Sequence, residues 1–221
     1  MSVEKVFWSD PYLRSLQACV RTVDGQIVTL NRTIIFAFSG GQQSDSGSIG
    51  GQEVLEAVRD NQEIRYTLPP GHGLRPGDQV GLAIDWDKRY RLMRLHLAAE
   101  LVLELLYQRQ EQNGLPRATL QRIGANIHPD KARLDFRLDE PITPLLPQLA
   151  QQANELIAAD REIISAFSDR EAERRYWEIA GFARVPCGGT HLRRTGEIGP
   201  LKLKRNNIGK GKERIEIFIK K

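Results

Sequence analysis

The spacing of apolar positions changes near residue 90. In residues 1–86, apolar and polar side chains alternate in short runs that are separated by turn signals such as Asp24-Gly25, and a period of two is typical of half-buried strands. From about Tyr90 onward the apolar positions recur every three to four residues, which predicts a long helix. We therefore predict two domains: a small β-barrel over residues 1–86 and an α+β domain over residues 87–221.

The first domain is predicted to consist of short strands. These strands cover Val3–Trp8, Ala18–Val23, Gln26–Leu30, Arg32–Phe38, Glu53–Arg59, Glu63–Leu68 and Asp78–Trp86. A glycine-rich stretch, Ser39–Gly51, interrupts the strand pattern, and stretches of this composition are commonly connecting loops. Many short strands joined by tight turns favour a small barrel.

The second domain is predicted to mix helices with strands. The predicted helices are Tyr90–Asn113, Thr143–Asp160 and Arg170–Ala180. The predicted strands are Ala118–Ile127, Lys131–Leu138, Glu162–Phe167, Leu201–Arg205 and Arg214–Ile219. The pair Ser168-Asp169 is a suitable N-cap for the third helix, and Gly181 would end that helix. This order of elements indicates an antiparallel-rich sheet with helices packed on it.

The composition is ordinary for a globular protein. Of the 221 residues, 40% are hydrophobic and 27% are charged, which excludes disorder over a large part of the chain. No apolar run reaches the roughly 18 residues of a membrane span, and Glu4, Lys5 and Asp10 interrupt the region where a signal peptide would have its apolar core. We therefore expect a cytoplasmic protein without a membrane partner. In that compartment the two distant cysteines, Cys19 and Cys187, are not expected to form a disulfide.

The positive charge of the chain belongs to its last twenty residues. The net charge of the whole sequence is +4, yet residues 202–221 hold eight Lys and Arg side chains against two Glu, a local charge of +6. The candidate RNA-binding residues in this basic strip are Lys202, Lys204, Arg205, Lys210, Lys212 and Arg214. A basic strip beside a nearly neutral body is typical of a surface that binds a phosphate backbone. The alternative is a solvated face without a partner.

Two pairs of side chains are candidates for holding a metal ion. His96 and Glu100 are four residues apart in the predicted long helix and therefore share one face of it, and Cys187 and His191 have the same spacing near the C-terminus. Each pair alone is a weak signal, since a His on an apolar helix is commonly a core residue. However, the chain has only four His and two Cys, and three of these six belong to the two pairs. A shared site with imidazole, thiolate and carboxylate ligands suits one Zn²⁺ per chain.

Further segments resemble a known family. The glycine-rich stretch contains Gly40-Gly41-Gln42-Gln43-Ser44-Asp45-Ser46-Gly47, and Thr195–Leu203 and Gly209–Ile215 follow the Cys187 pair. Together with the two metal-ligand pairs, these segments resemble alanyl-tRNA editing domains, the free-standing AlaX proteins, and the second additional domain of threonyl- and alanyl-tRNA synthetases. The resemblance covers nearly the whole chain and fits the medium-length, free-standing form. It implies hydrolysis, without ATP, of tRNA(Ala) that is mischarged with serine or glycine, and hence a role in translation fidelity.

The resemblance also implies roles for individual residues. The zinc ligands that it implies are His96, Glu100, Cys187 and His191. Gly40, Gly41 and Gln42 would form a substrate-binding loop near the metal, in which Gln42 is also a candidate catalytic residue because its amide is both donor and acceptor; the alternative is a plain turn. Glu100 stands where the family usually has a second His, so it is either a zinc ligand or a base that activates water. Gln43 stands where the family motif has Pro.

Selection of serine requires a partner for its hydroxyl group. A site that hydrogen-bonds this hydroxyl discriminates against alanine by roughly 10⁴-fold, because the alanyl ester leaves buried polar groups unpaired. Thr119, at the start of the predicted strand that follows the long helix, is the candidate partner, although Thr on a strand is more often only a good strand former. The competing function is a non-catalytic, zinc-stabilised module that binds tRNA, since Glu100 departs from the family pattern. The sequence leaves open whether the protein is a monomer or a homodimer.

Overall fold

A computed structural model describes residues 2–138 and 140–220 of the chain. The chain divides into two compact units, which we call unit 1 (residues 1–90) and unit 2 (residues 91–221). Lys221, the last residue of the basic strip, lies outside the described residues. The domain boundary after residue 86 stays a prediction, because compactness does not show that each unit folds alone.

The described part of unit 1 is built around one antiparallel sheet. Its elements are β1 (Glu4–Lys5), α1 (Val6–Ser9), β2 (Ser15–Asp24), β3 (Ile27–Leu30), β4 (Arg32–Thr33), β5 (Gly47–Ile49), β6 (Gln52–Glu53), β7 (Glu56–Asp60), β8 (Glu63–Thr67) and β9 (Gln79–Ile84). Seven strands pair in the order β6-β5-β9-β2-β3-β8-β7, and β1 pairs with β4. Alternate side chains of these strands, such as Val28 and Leu30, are fully buried, as a period of two requires.

The two edge strands of this sheet are consecutive in the chain. β6 and β7 are joined by Val54 and Leu55, whose N–H groups donate to the carbonyl oxygens of Gly47 in β5 and Thr67 in β8, both at 2.9 Å. A single segment therefore borders both ends of the sheet, which gives the sheet its curl. The mixture of helices with antiparallel sheets is confirmed, whereas closure into a barrel stays a prediction.

Two predicted strands are wrong over most of their length. Only β1 remains of Val3–Trp8, and only β4 remains of Arg32–Phe38. The helical turn α1 replaces the end of the first strand. In the second, the chain after β4 stays buried, but the N–H group of Phe36 donates to the Asp45 carboxylate at 2.7 Å. A side-chain acceptor thus takes the place of a neighbouring strand, which is why apolar residues alone misled the prediction.

The described residues of unit 2 form two antiparallel sheets with two longer helices. The elements are α2 (Trp86–Gln112), whose first five residues belong to unit 1, and then β10 (Gln121–Ile127), β11 (Ala132–Arg137), α3 (Leu146–Ala158), β12 (Ile164–Asp169), β13 (Arg174–Ile179), β14 (Ala183–Pro186), β15 (Leu201–Asn207) and β16 (Lys212–Ile219). The strand orders are β10-β11-β16-β15 and β12-β13-β14. In the part of the chain that the structure describes, we find no helix whose length and apolar character would let it span a membrane.

The predicted helix Arg170–Ala180 is wrong. Most of this segment is β13, which pairs with β12 in antiparallel register. Burial alternates along β13, where Arg175 and Trp177 face inward, so the true period is two. The predicted N-cap exists only locally, because the Asp169 carboxylate accepts the N–H group of Ala172 at 2.9 Å and holds a turn between the two strands.

Two other boundaries differ from the prediction. A 3₁₀ turn over Arg117–Thr119 precedes β10, so the predicted strand Ala118–Ile127 begins later. A second 3₁₀ turn begins the predicted helix Thr143–Asp160, and α3 follows it with Pro147 in its first turn. Proline is tolerated there because the first N–H groups of a helix have no partner within the helix. The predicted C-terminal strands are confirmed as β15 and β16.

Candidate metal centre

The helix α2 carries the first two side chains of the candidate site. Leu92, Leu95 and Leu97 lie at different angles around the helix axis and are all buried, so α2 is packed on several sides. His96 and Glu100 are one turn apart and project from one face. His96 is 5% exposed, and a buried imidazole requires hydrogen-bond partners or a metal.

The segment after β14 carries the other two side chains. The N–H group of Cys187 donates to the carbonyl oxygen of Arg175 in β13 at 2.9 Å, which fixes the start of this segment to the three-stranded sheet. The N–H group of Gly189 lies 3.5 Å from Cys187 Sγ and donates to it. His191 is 3% exposed. The chain thus directs both side chains inward over five residues.

The structure brings these four side chains together. The potential ligand atoms of His96, Glu100, Cys187 and His191 all lie within 4.8 Å of one another. Cys187 Sγ lies 3.4 Å from His96 Nε2 and 3.2 Å from His191 Nε2. Glu100 Oε1 lies 3.4 Å from His96 Nε2, and Glu100 Oε2 lies 3.9 Å from His191 Nε2. We call this group the four-residue cluster.

The members of the cluster set one another's protonation. Burial disfavours the charged form of His96. The charges and hydrogen bonds of Glu100 and Cys187 favour that form more strongly, so they hold the pKa of His96 well above its ordinary value. Burial likewise opposes the charge of Glu100, but His96 outweighs it and lowers the Glu100 pKa. Burial and the nearby Glu100 raise the pKa of the Cys187 thiol. Burial lowers the pKa of His191 to about 3. The cluster is therefore a charged His96–Glu100 pair beside a neutral thiol and a neutral imidazole.

The chemistry of the cluster fits a transition metal. Glu100 Oε2 is buried and has no hydrogen-bond partner among the described residues, and a buried carboxylate oxygen is costly unless something satisfies it. A cation would do so. Two imidazoles, one thiolate and one carboxylate are ligand types that hold Zn²⁺, whereas Mg²⁺ and Ca²⁺ prefer oxygen ligands alone. The cluster is thus a candidate site for one metal ion.

Sequence reasoning missed two residues beside the cluster. Ser165 Oγ lies 3.0 Å from His191 Nδ1. Arg175 is 5% exposed and donates from Nη1 to the Gly189 carbonyl oxygen at 3.3 Å, and burial lowers its pKa to about 10. The wrong helix prediction over β13 concealed both, because it removed the strand pair that places them. The signal that could have identified this strand is the period of two in residues 174–179, in which Arg175 and Trp177 alternate with outward-facing residues.

The glycine-rich loop belongs to unit 1. Gly40 and Gly41 have φ angles of 60° and 90°, which glycine adopts far more readily than other residues. The N–H group of Gln42 donates to the carbonyl oxygen of Ser39 at 3.0 Å, and the Gln42 side chain is buried. The loop is therefore a defined turn with an inward-facing amide. Its role in binding substrate stays a prediction.

Thr119 ends the 3₁₀ turn before β10. It is exposed, and its hydroxyl group donates to the carbonyl oxygen of Pro116 at 2.7 Å. The single hydroxyl proton is therefore in use, and only the oxygen lone pairs are available to another molecule. Selection of serine by Thr119 stays a prediction.

The six candidate RNA-binding residues fall into two groups on the hairpin of β15 and β16. The arginines are paired with carboxylates: Arg205 lies 2.5 Å from Glu213, and Arg214 lies 2.6 Å from Asp135. The lysines of the candidate set are exposed, namely Lys202, Lys204, Lys210 and Lys212. The lysines are therefore the cations of this set that are best placed for an external anion, and the arginines mainly neutralise neighbouring acids.

Comparison with known protein families gives the class of this protein. Residues 178–216 match the domain family described as the threonyl and alanyl tRNA synthetase second additional domain. The matching segment includes Cys187 and His191, as well as β15 and most of β16. The match covers only this C-terminal segment, and it agrees with the class expected from the sequence.

Individual relatives define the family more closely. The chain is 32% identical over 217 residues to the alanyl-tRNA editing protein AlaX-M of Pyrococcus horikoshii, with 97% of each chain covered. It is 31% identical to AlaX-M of Methanosarcina mazei, in an alignment that covers 96% of this chain and 94% of the relative. It is 28% identical to the alanine–tRNA ligase of Methanococcus aeolicus, of which only 25% is covered. The chain belongs to the family of alanyl-tRNA editing proteins, which agrees with the expected enzyme class, an aminoacyl-tRNA hydrolase.

Proposed function

We propose that this protein hydrolyses the ester bond of tRNA(Ala) that is mischarged with serine or glycine, and that one Zn²⁺ per chain is bound for this purpose. The observation that carries the proposal is the convergence of His96, Glu100, Cys187 and His191, in a chain that aligns over nearly its full length with alanyl-tRNA editing proteins. When bound, the ion would supply a Lewis acid next to the scissile carbonyl group.

Individual side chains have separate roles in the proposed reaction. His96, Cys187 and His191 hold the ion, while Glu100 is either the fourth ligand or a base that takes a proton from the attacking water. Gln42 orients the aminoacyl ester through its amide group, and the turns at Gly40 and Gly41 let the backbone approach the substrate closely. Gln42 would thus take part in catalysis by orienting the ester, without a change of its own protonation.

Serine is recognised by a hydroxyl partner, for which Thr119 is the candidate. Because the Thr119 proton is directed at Pro116, the substrate hydroxyl would have to donate to the Thr119 oxygen. An alanyl ester has no such donor, so it would lack this hydrogen bond and would bind less well in the transition state.

The tRNA backbone is bound by the exposed lysines of the basic strip. Lys202 and Lys204 alternate with inward-facing residues along β15, and Lys210 and Lys212 lie at the turn that leads into β16. Exposed ammonium groups act as point charges toward phosphates. The protein would act in the cytoplasm, as a monomer or a homodimer.

We also propose that the sheet of unit 1 closes into a small barrel. The support is the segment that joins β6 to β7, since its N–H groups contact strands at both ends of the sheet. A strand that changes partners at a bend is a common way to turn a corner in barrels.

A second candidate function is a non-catalytic module that binds tRNA. The observation in its favour is that the cluster offers four protein ligands, and a complete set of four is the usual pattern of structural zinc. In that case the metal would stabilise unit 2 and no ester would be cleaved.

One assay separates the two candidates. The purified protein is incubated with Ser-tRNA(Ala), and the release of serine is followed over time. We expect release by the parent protein, loss of release in Cys187→Ala, and full release in Cys19→Ala, in which the other free cysteine, on β2 in unit 1, is removed. No release by the zinc-loaded parent protein would reject hydrolysis and favour the binding module.

A further inference from the structure

We propose that Ser165 is a positioning residue for the metal centre, which accepts a hydrogen bond from His191 Nδ1–H and so keeps the lone pair of Nε2 directed at the metal. This inference rests on the proposed zinc site and goes beyond its four ligands. A neutral imidazole has one ring proton, and a metal can bind only the nitrogen that lacks it. The partner of the other nitrogen therefore decides whether the ligand is ready to bind.

The distances place the two ring nitrogens of His191 in different surroundings. Nε2 lies 3.2 Å from Cys187 Sγ and 3.9 Å from Glu100 Oε2, inside the cluster. Nδ1 lies outside it, 3.0 Å from Ser165 Oγ. Nε2 is therefore the nitrogen that faces a metal, and Nδ1 is the nitrogen that must carry the proton.

The fold holds Ser165 firmly in this position. Ser165 is paired with the fully buried Trp177 in the register of β12 and β13. Two residues earlier, the N–H group of Ile163 donates to the carbonyl oxygen of Arg193 at 2.8 Å. This bond joins the start of β12 to the chain just after His191. The serine and the histidine are thus attached to each other through the backbone as well as through their side chains.

The role of Ser165 differs from that of its neighbours on the strand. Ser168 is exposed, and its hydroxyl group donates to the carbonyl oxygen of Arg174 at 3.3 Å. It lies on the same strand as Ser165, has the same side chain, and has no contact with the cluster among the described hydrogen bonds. Ser168→Ala is therefore a matched control for Ser165→Ala.

The first test measures zinc affinity by competition with a chromophoric chelator, on the full chain. We expect Ser165→Ala to weaken zinc binding about 10-fold to 100-fold, as is typical when a partner of a metal-bound His is removed. Ser165→Thr keeps the hydroxyl group on a strand position that tolerates β-branched residues, so it should retain most of the affinity. Ser168→Ala should bind zinc as the parent does.

The second test reads the tautomer directly. In zinc-free protein, long-range proton–nitrogen NMR spectra should show His191 with its proton on Nδ1, and Ser165→Ala should populate the form with the proton on Nε2. A purely structural role of Ser165 would lower stability without changing the tautomer.

The outcomes separate this inference from the proposed function. If the parent binds zinc and Ser165→Ala binds it equally well, or if Ser165→Thr is as weak as Ser165→Ala, the role of Ser165 is rejected and the zinc site stands. If the parent binds no zinc at all, both proposals are rejected.

Discussion

Arg89 and Asp45 form an ion pair in which both side chains are completely buried. Arg89 Nε donates to Asp45 at 2.8 Å, and the guanidinium group also donates to the carbonyl oxygens of Pro11 and Ile34, at 3.0 and 2.6 Å. Asp45 in turn accepts the N–H group of Phe36. The aspartate of the glycine-rich motif is therefore a structural residue, which joins the loop to the start of α2.

We expect Asp45→Asn to destabilise unit 1 strongly. Removal of one partner leaves the other charge buried and unpaired, which costs about 3–5 kcal/mol. The measurement is the free energy of unfolding from urea titration followed by tryptophan fluorescence. The matched control is Asp60→Asn, because Asp60 pairs with Arg65 on the surface, with 40% and 55% of the two side chains exposed, and such pairs contribute about 0–1 kcal/mol. Equal effects of the two substitutions would contradict the structural role of Asp45.

Local sequence patterns are sufficient to predict some elements of this fold. The long helix and the C-terminal strands were predictable because their apolar periods agree with their final surroundings. Spacing and ligand chemistry also predicted that His96, Glu100, Cys187 and His191 share a site. These features require no knowledge of distant partners.

Other features depend on contacts that the sequence does not display. The segment 174–179 has residues suited to either state, and only its pairing with β12 makes it a strand. The chain after β4 is not a strand because the Asp45 side chain, nine residues from Phe36, takes one of its backbone bonds. Ser165 could not be assigned before that strand pair was known. Tertiary contacts overrode propensity in each case.

Zinc binding should release about two protons near neutral pH. The raised pKa values keep both His96 and the Cys187 thiol protonated in the zinc-free protein, and both must lose a proton to become ligands. Glu100, with its lowered pKa, and His191, with a pKa of about 3, are already deprotonated. Affinity should therefore rise with pH, by up to about 100-fold per unit, until the pH passes the raised pKa values of His96 and Cys187.

Calorimetric titration with zinc in buffers of different ionisation enthalpy counts these protons. Zinc affinity that does not change between mildly acidic and neutral pH would show that His96 and Cys187 are not both protonated before binding, or are not both ligands.

Replacement of Lys204, Lys210 and Lys212 by Ala should weaken tRNA binding and make it less sensitive to salt. If all three contact phosphates, the slope of log K against log salt should flatten by roughly two to three units, because fewer condensed counterions are released. Binding of tRNA at several salt concentrations provides the slope, and zinc content should not change. Asn206→Ala, on the same hairpin, keeps every charge and serves as the control. A triple variant with the parental slope would mean that the basic strip is only a solvated face.

Replacement of Thr119 by Val should reduce discrimination between Ser-tRNA(Ala) and Ala-tRNA(Ala). Valine keeps the branched shape and removes the oxygen that would accept the serine hydroxyl, and also the bond to Pro116. The ratio of the two deacylation rates in one preparation is the relevant quantity, since it cancels differences in active protein. An unchanged ratio would exclude Thr119 from serine selection.

Elemental analysis of purified protein shows whether the four-residue cluster holds a metal ion. We expect about one zinc ion per chain in the parent protein and in Glu100→His, because imidazole and carboxylate are both zinc ligands. We expect loss of most of the zinc in Cys187→Ala, since removal of the thiolate leaves a weaker set of two imidazoles and one carboxylate, and full zinc content in Cys19→Ala. Stoichiometric zinc in Cys187→Ala, bound as tightly as in the parent protein, would contradict the predicted set of ligands, because the thiolate would then not bind the ion.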